Sequence, residues 1–140
     1  GREGQGGRLY LVDASGAEKP RAVGEEGYTI FHSDSVSPDG KLAVVWGPND
    51  RLYLHPLDGG RPRPLPGIEG GDPCGWSSDG RHLYVTGMKP TTPLRVDLLD
   101  VQTGERRLWK ELGSLAGANS VHVTPDGKSF LAAVVVKEQA

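Results

Sequence analysis

The chain has 140 residues, with 16 basic and 18 acidic side chains and a formal net charge of -2 at pH 7. The charges are scattered, so the sequence has no basic footprint for nucleic acid. No apolar run approaches the roughly 18 residues that a transmembrane helix needs. Cys74 is the single cysteine, which excludes an internal disulfide and a cysteine-rich zinc site. We therefore expect neither a nucleic acid nor a membrane as partner.

Glycine and proline divide the chain at short intervals. The 21 glycines and 11 prolines fall in clusters between short apolar runs, which is typical of an all-β chain with a turn about every ten residues. Strands are predicted, in chain order, at 8–12, 20–23, 28–36, 42–46, 51–55, 62–66, 73–77, 82–86, 94–100, 105–109, 119–124 and 129–136.

One turn motif occurs three times along the chain. The copies are Ser37-Pro38-Asp39-Gly40, Ser77-Ser78-Asp79-Gly80 and Thr124-Pro125-Asp126-Gly127. In such a turn the Asp side chain accepts hydrogen bonds from backbone N–H groups, and the Gly adopts the left-handed conformation that closes a hairpin. The glycines are 40 and 47 positions apart. A four-strand unit with this period predicts a β-propeller, whose blades are four-stranded antiparallel sheets.

A second repeat has a similar period and sets the blade boundaries. Arg8-Leu9-Tyr10-Leu11 recurs unchanged as Arg51-Leu52-Tyr53-Leu54. With strands A to D counted outward from the propeller axis, the Asp-Gly turns join A to B. The prediction is an all-β propeller with about three blades' worth of strands, offset by half a blade. Its parts are a linker or tag remnant at 1–7 and a propeller segment at 8–140, with a half blade at 8–23, blades at about 28–66 and 73–109, and a half blade at about 119–136.

The flanks of the three turns carry a family resemblance. The segments 36–41, 76–81 and 123–128 resemble the WD40-like (PD40) repeats of TolB-type bacterial propellers. The usual form is aromatic-Ser-Pro-Asp-Gly-Lys, whereas here only the middle copy has the aromatic residue, Trp76, and Ser78 replaces its proline. Similar repeats occur in prolyl-oligopeptidase-type propellers and in C-terminal regions of bacterial serine/threonine kinases. The resemblance implies the scaffold alone, and it leaves the compartment open between the bacterial cytoplasm and periplasm.

The sequence contains no catalytic motif, and we expect no enzyme activity, cofactor or metal. The nucleophile elbow Gly-x-Ser-x-Gly does not occur, and the four histidines lie in four different predicted strands without zinc spacing.

Arg106 and Arg107 lie in a predicted outer strand, where charged side chains discourage pairing of an exposed sheet edge with another strand. Phosphate contact is the alternative. Trp76 is predicted to lie in the core. For Trp46 and Trp109 the alternatives are the core and a binding platform.

Three polar residues support a binding hypothesis. His32, Asp72 and Asn119 each lie seven residues before the Asp of one turn, at the entrance to strand A. Because strand A borders the axial channel, these side chains are expected to converge at one channel mouth and to form a site for a partner or small ligand. The alternative is that each residue satisfies backbone groups of its own loop.

Two functions are compatible with these features. The first is a non-enzymatic scaffold for protein interaction or ligand sensing, as part of a larger bacterial protein or as a self-assembling partial propeller, with a protein partner or small ligand at the channel face. The alternative is a gating or substrate-filtering propeller of a peptidase-type enzyme whose catalytic domain lies elsewhere.

Since three blades are too few to close a ring, we also expect a homodimer in which paired half blades give a six-bladed ring.

Overall fold

The computed structural model describes residues 7–31, 35–87, 94–112 and 118–134, with the backbone alone described at 118–120 and 134. The strands are β1 (Leu9–Leu11), β2 (Arg21–Val23), β3 (Thr29–Ile30), β4 (Leu42–Gly47), β5 (Arg51–Pro56), β6 (Arg63–Pro64), β7 (Gly71–Trp76), β8 (His82–Gly87), β9 (Leu94–Asp100), β10 (Arg106–Leu112), β11 (Ala118–Val123) and β12 (Phe130–Val134). A short 3-10 turn, Pro48–Asp50, connects β4 to β5. Within these ranges no helix is long and apolar enough to cross a membrane.

The strands form antiparallel sheets in which neighbours in sequence are neighbours in space. Two sheets have four strands, β3-β4-β5-β6 and β7-β8-β9-β10, and two have a single pair, β1-β2 and β11-β12. Each four-stranded sheet is a meander of the kind that forms a propeller blade. The prediction of an all-β fold with four-stranded blades offset by half a blade is confirmed. The chain divides into two compact units, Gly1–Leu65 and Pro66–Ala140.

In the first unit, β4 and β5 supply most of the buried apolar positions of the whole blade, and Leu65 adds another. Ala43, Val44 and Val45 are consecutive, and each is at most 5% exposed. Because side chains alternate between the faces of a strand, three buried neighbours mean that both faces of β4 are covered. Trp46 is half-buried, with its ring centroid 5.5 Å from that of Phe31.

In the second unit, a core cluster joins the whole blade to the half blade. Cys74, Tyr84, Val96 and Val123 are buried together. Burial raises the pKa of the Cys74 thiol to about 12, so Cys74 behaves as a small apolar side chain. Trp109 is half-buried against Tyr84 and Phe130, at centroid distances of 4.7 and 5.8 Å. Trp76, at 4% exposed, lies in the core as predicted.

A buried histidine limits which residues fit at a neighbouring turn. His55 in β5 is 0% exposed, its Nδ1 lies 2.8 Å from the carbonyl oxygen of Pro56, and its Nε2 has no hydrogen-bond partner among the described residues. Gly24, just after β2, has a φ of 72°, and a Cβ built there would lie 2.5 Å from the His55 Nε2. Glycine is favoured at this position, because the backbone conformation strains other residues and a Cβ would force the His55 side chain to shift.

We expect Gly24→Ala to lower the free energy of unfolding more than Gly16→Ala does. Gly16 has a φ of 73° and no atom within 4 Å of its Cβ position, so both variants carry the same left-handed cost of about 1–2 kcal/mol. At position 24 the new Cβ also overlaps with the His55 ring, and this adds a second cost that Gly16→Ala does not have. Urea denaturation of the two variants measures the difference, and equal losses would show that His55 does not constrain this turn.

Candidate functional site

The three Asp-Gly turns share one backbone geometry. Gly40, Gly80 and Gly127 have φ values of 75°, 68° and 72°. The N–H of each glycine donates to the carbonyl oxygen three residues earlier, at 2.9, 3.0 and 2.8 Å respectively. This is the left-handed position that glycine occupies without the steric cost of a side chain. Each turn therefore joins strand A to strand B in the same way.

The Asp of each turn accepts hydrogen bonds from both sides. Oδ1 of Asp39, Asp79 and Asp126 accepts the N–H two residues later, at 3.0, 2.8 and 2.9 Å respectively. The same oxygen also accepts a hydrogen bond from the hydroxyl group two residues earlier. The donors are Ser37 at 2.6 Å, Ser77, and Thr124 at 2.8 Å, respectively. The carboxylate therefore bridges the turn from one strand to the other.

These hydrogen bonds favour the ionised carboxylate. The hydroxyl of Ser37 lowers the pKa of Asp39, and the N–H of Lys128 lowers that of Asp126. Burial alone would raise the pKa of Asp79, but hydrogen bonds from Ser77, Arg81 and His82 outweigh it and hold the pKa at about 2. Because these aspartates are ionised at neutral pH, they act as structural acceptors and not as proton donors.

The predicted channel-mouth residues are placed as follows. Asp72 is exposed near the start of β7, opposite Thr86 of β8. The backbone of Asn119 lies in β11 at a register shift between Ala118 and Ser120, which makes Asn119 the additional residue of a β-bulge. His32 lies outside the described residues.

Strands β7 and β11 lie side by side and run in the same direction. A Cβ at Gly75 would lie 2.5 Å from the carbonyl oxygen of Val123, and further along the N–H of Ser78 donates to the carbonyl oxygen of Pro125 at 2.9 Å. Ser78 and Pro125 are 47 positions apart in the sequence, and so are Asp72 and Asn119. The two residues therefore belong to the same end of adjacent strands.

A partly buried ion-pair cluster lies on the second blade, where the sequence favoured charges at the sheet edge. Asp97 in β9 is 6% exposed, and its two oxygens accept from Nε of Arg95 at 2.8 Å and Nε of Arg106 at 2.9 Å. Arg106 Nη1 also donates to the carbonyl oxygens of Gly67 and Glu69, at 3.4 and 3.1 Å. β10 is the outer strand of its sheet, as predicted, but the Arg106 guanidinium also pairs with the buried carboxylate of Asp97, which the edge-charge interpretation did not include. Asp97 stands between Val96 and Leu98 in β9, and this charged residue between two apolar neighbours was the available signal.

The same cluster lines a cavity of about 450 Å³. Its walls are formed by Glu69, Gly87, Arg95, Asp97 and Arg106. The two guanidinium groups are balanced by two carboxylates, and hydrogen bonds to Asp97 raise the pKa of Arg95. A phosphate would compete with Asp97 for both arginines, so the cavity favours no strong anion. Among the described residues, no group of three or more His, Cys, Asp or Glu side chains is placed to hold a metal ion.

Comparison with known proteins supports the fold. No family model matches the sequence, and no curated protein matches it. A putative TolB from Agrobacterium tumefaciens superposes with a TM-score of 0.61 and 24% identity, over 90% of this chain and 46% of that chain. For TolB from Acinetobacter baumannii the TM-score is 0.58 at 24% identity, over 88% of this chain and 31% of that one. The chain has the fold of a TolB-type propeller. At this identity the likeness concerns the fold alone, and the chain spans less than half the length of either TolB.

We expect the Asp79 turn to make the stability of the folded chain depend on pH. The pKa of Asp79 is about 2 in the folded protein and about 3.9 in an unfolded chain. A lowered folded pKa contributes stability that is complete above about pH 5 and is lost as the pH falls toward 2. Asp79→Asn lacks the charge, so the variant should be less stable at neutral pH and should lose less stability on acidification.

Urea denaturation at about pH 7 and pH 2.5 measures this difference. Asp58→Asn is the matched control, because Asp58 is also an exposed turn aspartate and its Oδ1 accepts a single N–H, from Gly60 at 3.0 Å. If Asp58→Asn reduced the acid sensitivity as much as Asp79→Asn, the effect would not come from the Asp-Gly turn.

Proposed function

We propose that this TolB-type propeller is a non-enzymatic scaffold that binds a protein partner or small ligand at its channel face. The observation that supports this proposal most directly is the position of Asp72 and Asn119 at the same end of the adjacent strands β7 and β11. Sequence-distant polar groups that converge at the mouth of a channel are suited to recognising a polar ligand or a chain terminus.

The local geometry at these two residues is consistent with recognition. Asp72 is solvent-exposed and carries a negative charge that contributes, after burial, to the raised pKa of Cys74. Asn119 lies at a bulge, and bulges commonly redirect a side chain beside a functional site. In the proposed site, the carboxylate of Asp72 and the amide of Asn119 would together suit a ligand with an ammonium or guanidinium group and nearby hydrogen-bonding groups.

The alternative, a gating propeller of a peptidase-type enzyme, requires a hydrolase domain in the same protein. A kinase or other signalling domain in the flanking sequence would favour the scaffold. The flanking sequence therefore distinguishes the two proposals without any measurement on the blades themselves.

We expect the double variant Asp72→Ala with Asn119→Ala to lose specific retention of partners or ligands from a bacterial lysate. Its circular dichroism and melting temperature should stay close to those of the native chain. The matched control is Glu18→Ala with Gln102→Ala, which removes one carboxylate and one amide from exposed positions in other turns. If the double variant unfolds at lower temperature and no bound species is lost, the two residues anchor the backbone and the channel site is wrong.

We further propose that two chains form one ring of six blades. Among the described residues, β1 and β12 each pair on one side only, so the free edge of each offers unpaired N–H and C=O groups to another strand. Propeller rings have four to eight blades, and two copies of three blades' worth of strands satisfy that requirement. Each copy would supply what the other lacks, in a closed two-fold arrangement.

We expect the chain to elute as a discrete species near twice its mass of 14.9 kDa. Light scattering after size exclusion measures this mass, and deletion of residues 8–23, which contain β1 and β2, should abolish the dimer because the half blade at 119–136 then has no partner strand. A monodisperse, fully folded monomer at micromolar concentration would contradict the two-chain ring.

A further inference from the structure

The strands with free edges, β1 and β12, are repeat equivalents of strands that pair inside the whole blades. β1 belongs to the tetrapeptide 8–11, which is identical to 51–54 in β5. β12 follows the third Asp-Gly turn as β4 follows the first and β8 the second. In both whole blades the strand after the turn pairs with the next strand along the chain, β4 with β5 and β8 with β9. β12 and β1 thus correspond to two strands that are partners in a complete blade.

Leu131 in β12 is far more exposed than its equivalents in the whole blades. Leu131 is 73% exposed, whereas the residues at the same position after the first two turns, Val44 and Tyr84, are 2% and 5% exposed. A large apolar side chain in this position is buried whenever the blade is complete. Its exposure in β12 leaves apolar surface available for association.

The other free edge has the same property. Val12 is 60% exposed, and its equivalents His55 and Leu99 are each 0% exposed; Leu11 is 43% exposed, and its equivalent Leu54 is 3% exposed. The half blade nevertheless has a correctly formed C–D pair, since Tyr10 lies opposite Ala22 as Tyr53 lies opposite Pro64. Among the described residues no strand pairs with β1 on its other side, and the residues on β1 and just after it are exposed where their equivalents are buried.

We propose that β12 of one chain pairs with β1 of a second copy in the register of the whole blades, so that Leu131 lies opposite Leu11. This inference rests on the proposed two-chain ring. The first blade pairs Val44 with Leu54, and the second pairs Tyr84 with Leu98, at the equivalent step. The same rule gives the pairs Phe130 with Val12, Leu131 with Leu11, Ala132 with Tyr10 and Ala133 with Leu9.

Side-chain size and strand period support this register. Ala132 and Ala133 are small and lie opposite Tyr10 and Leu9, so bulky side chains meet small ones along β12. A slip of one residue would turn Leu131 away from the face of Leu11, because side chains alternate along a strand. A second copy is the occupant because it carries both edges: its β1 completes this β12, and its β12 completes this β1.

Mixed disulfide formation between two single-cysteine chains tests the register. A chain with Leu11→Cys and a chain with Leu131→Cys, carrying tags of different length, are unfolded together, refolded and mildly oxidised. Residues directly opposite in antiparallel strands have Cα atoms about 4.5–5.5 Å apart, which suits a disulfide. Native Cys74 does not compete, because burial raises its pKa to about 12. Both substituted side chains are exposed, so the fold should be retained, and circular dichroism checks this.

The expected product is a disulfide-linked dimer of the two differently tagged chains. Neither variant alone should form a disulfide-linked dimer. Each junction of the proposed ring contains one β1 and one β12, so two identical cysteines lie at different junctions. The matched control is Leu9→Cys with Leu131→Cys, in which a two-residue displacement puts the Cβ atoms about 7–8 Å apart, and it should give about tenfold less product.

The outcomes separate this inference from the ring on which it rests. A dimer by light scattering that links Leu9→Cys as readily as Leu11→Cys, or links neither, would overturn the register and leave the ring in place. Monomers that form no mixed disulfide would overturn both, and the two edges would then belong to flanking blades of a longer chain.

Discussion

In each blade, an aspartate carboxylate accepts hydrogen bonds across the turn between the first two strands. The hydroxyl before it and the N–H after it both donate to one oxygen, and the adjacent glycine has a φ of 68° to 75°. This arrangement determines the register of strand A against strand B. Because β9 and β10 follow β8 as a simple meander, the position of the outer strands depends on the same turn.

A departure from the consensus motif has a structural reason. The first and third turns have proline after the hydroxyl residue, but the middle turn has Ser78. The N–H of Ser78 donates to the carbonyl oxygen of Pro125 at 2.9 Å and so ties the middle turn to the next one. Proline has no N–H and cannot make this bond. Gly75 permits the close approach of β7 and β11, because a Cβ there would lie 2.5 Å from the carbonyl oxygen of Val123.

The fold was predictable from the sequence because its signals are local. Asp-Gly turns and short apolar runs are read within a few residues, and they repeat at the blade period. The buried pair of Asp97 and Arg106 was not predictable in the same way. Arg106 also contacts the carbonyl oxygen of Gly67, 39 positions away, and such contacts depend on tertiary packing. Of the candidate site, the sequence supplied the equivalence of Asp72 and Asn119, but no local pattern reveals which ligand they would bind.

The offset of half a blade affects which interactions would join two chains in one propeller ring. When the boundary between two chains of a ring falls between two blades, the junction between the chains depends on packing of one sheet face against the next. When two chains meet inside a blade, as in the proposed two-chain ring, the junction is formed by main-chain hydrogen bonds and by cross-strand side-chain pairs. Strand pairing requires one register, whereas apolar faces tolerate several. The exposed Leu131 and Leu11 lie on the two strands that such a junction needs, so in the proposed ring the strand register would determine how the two copies pair.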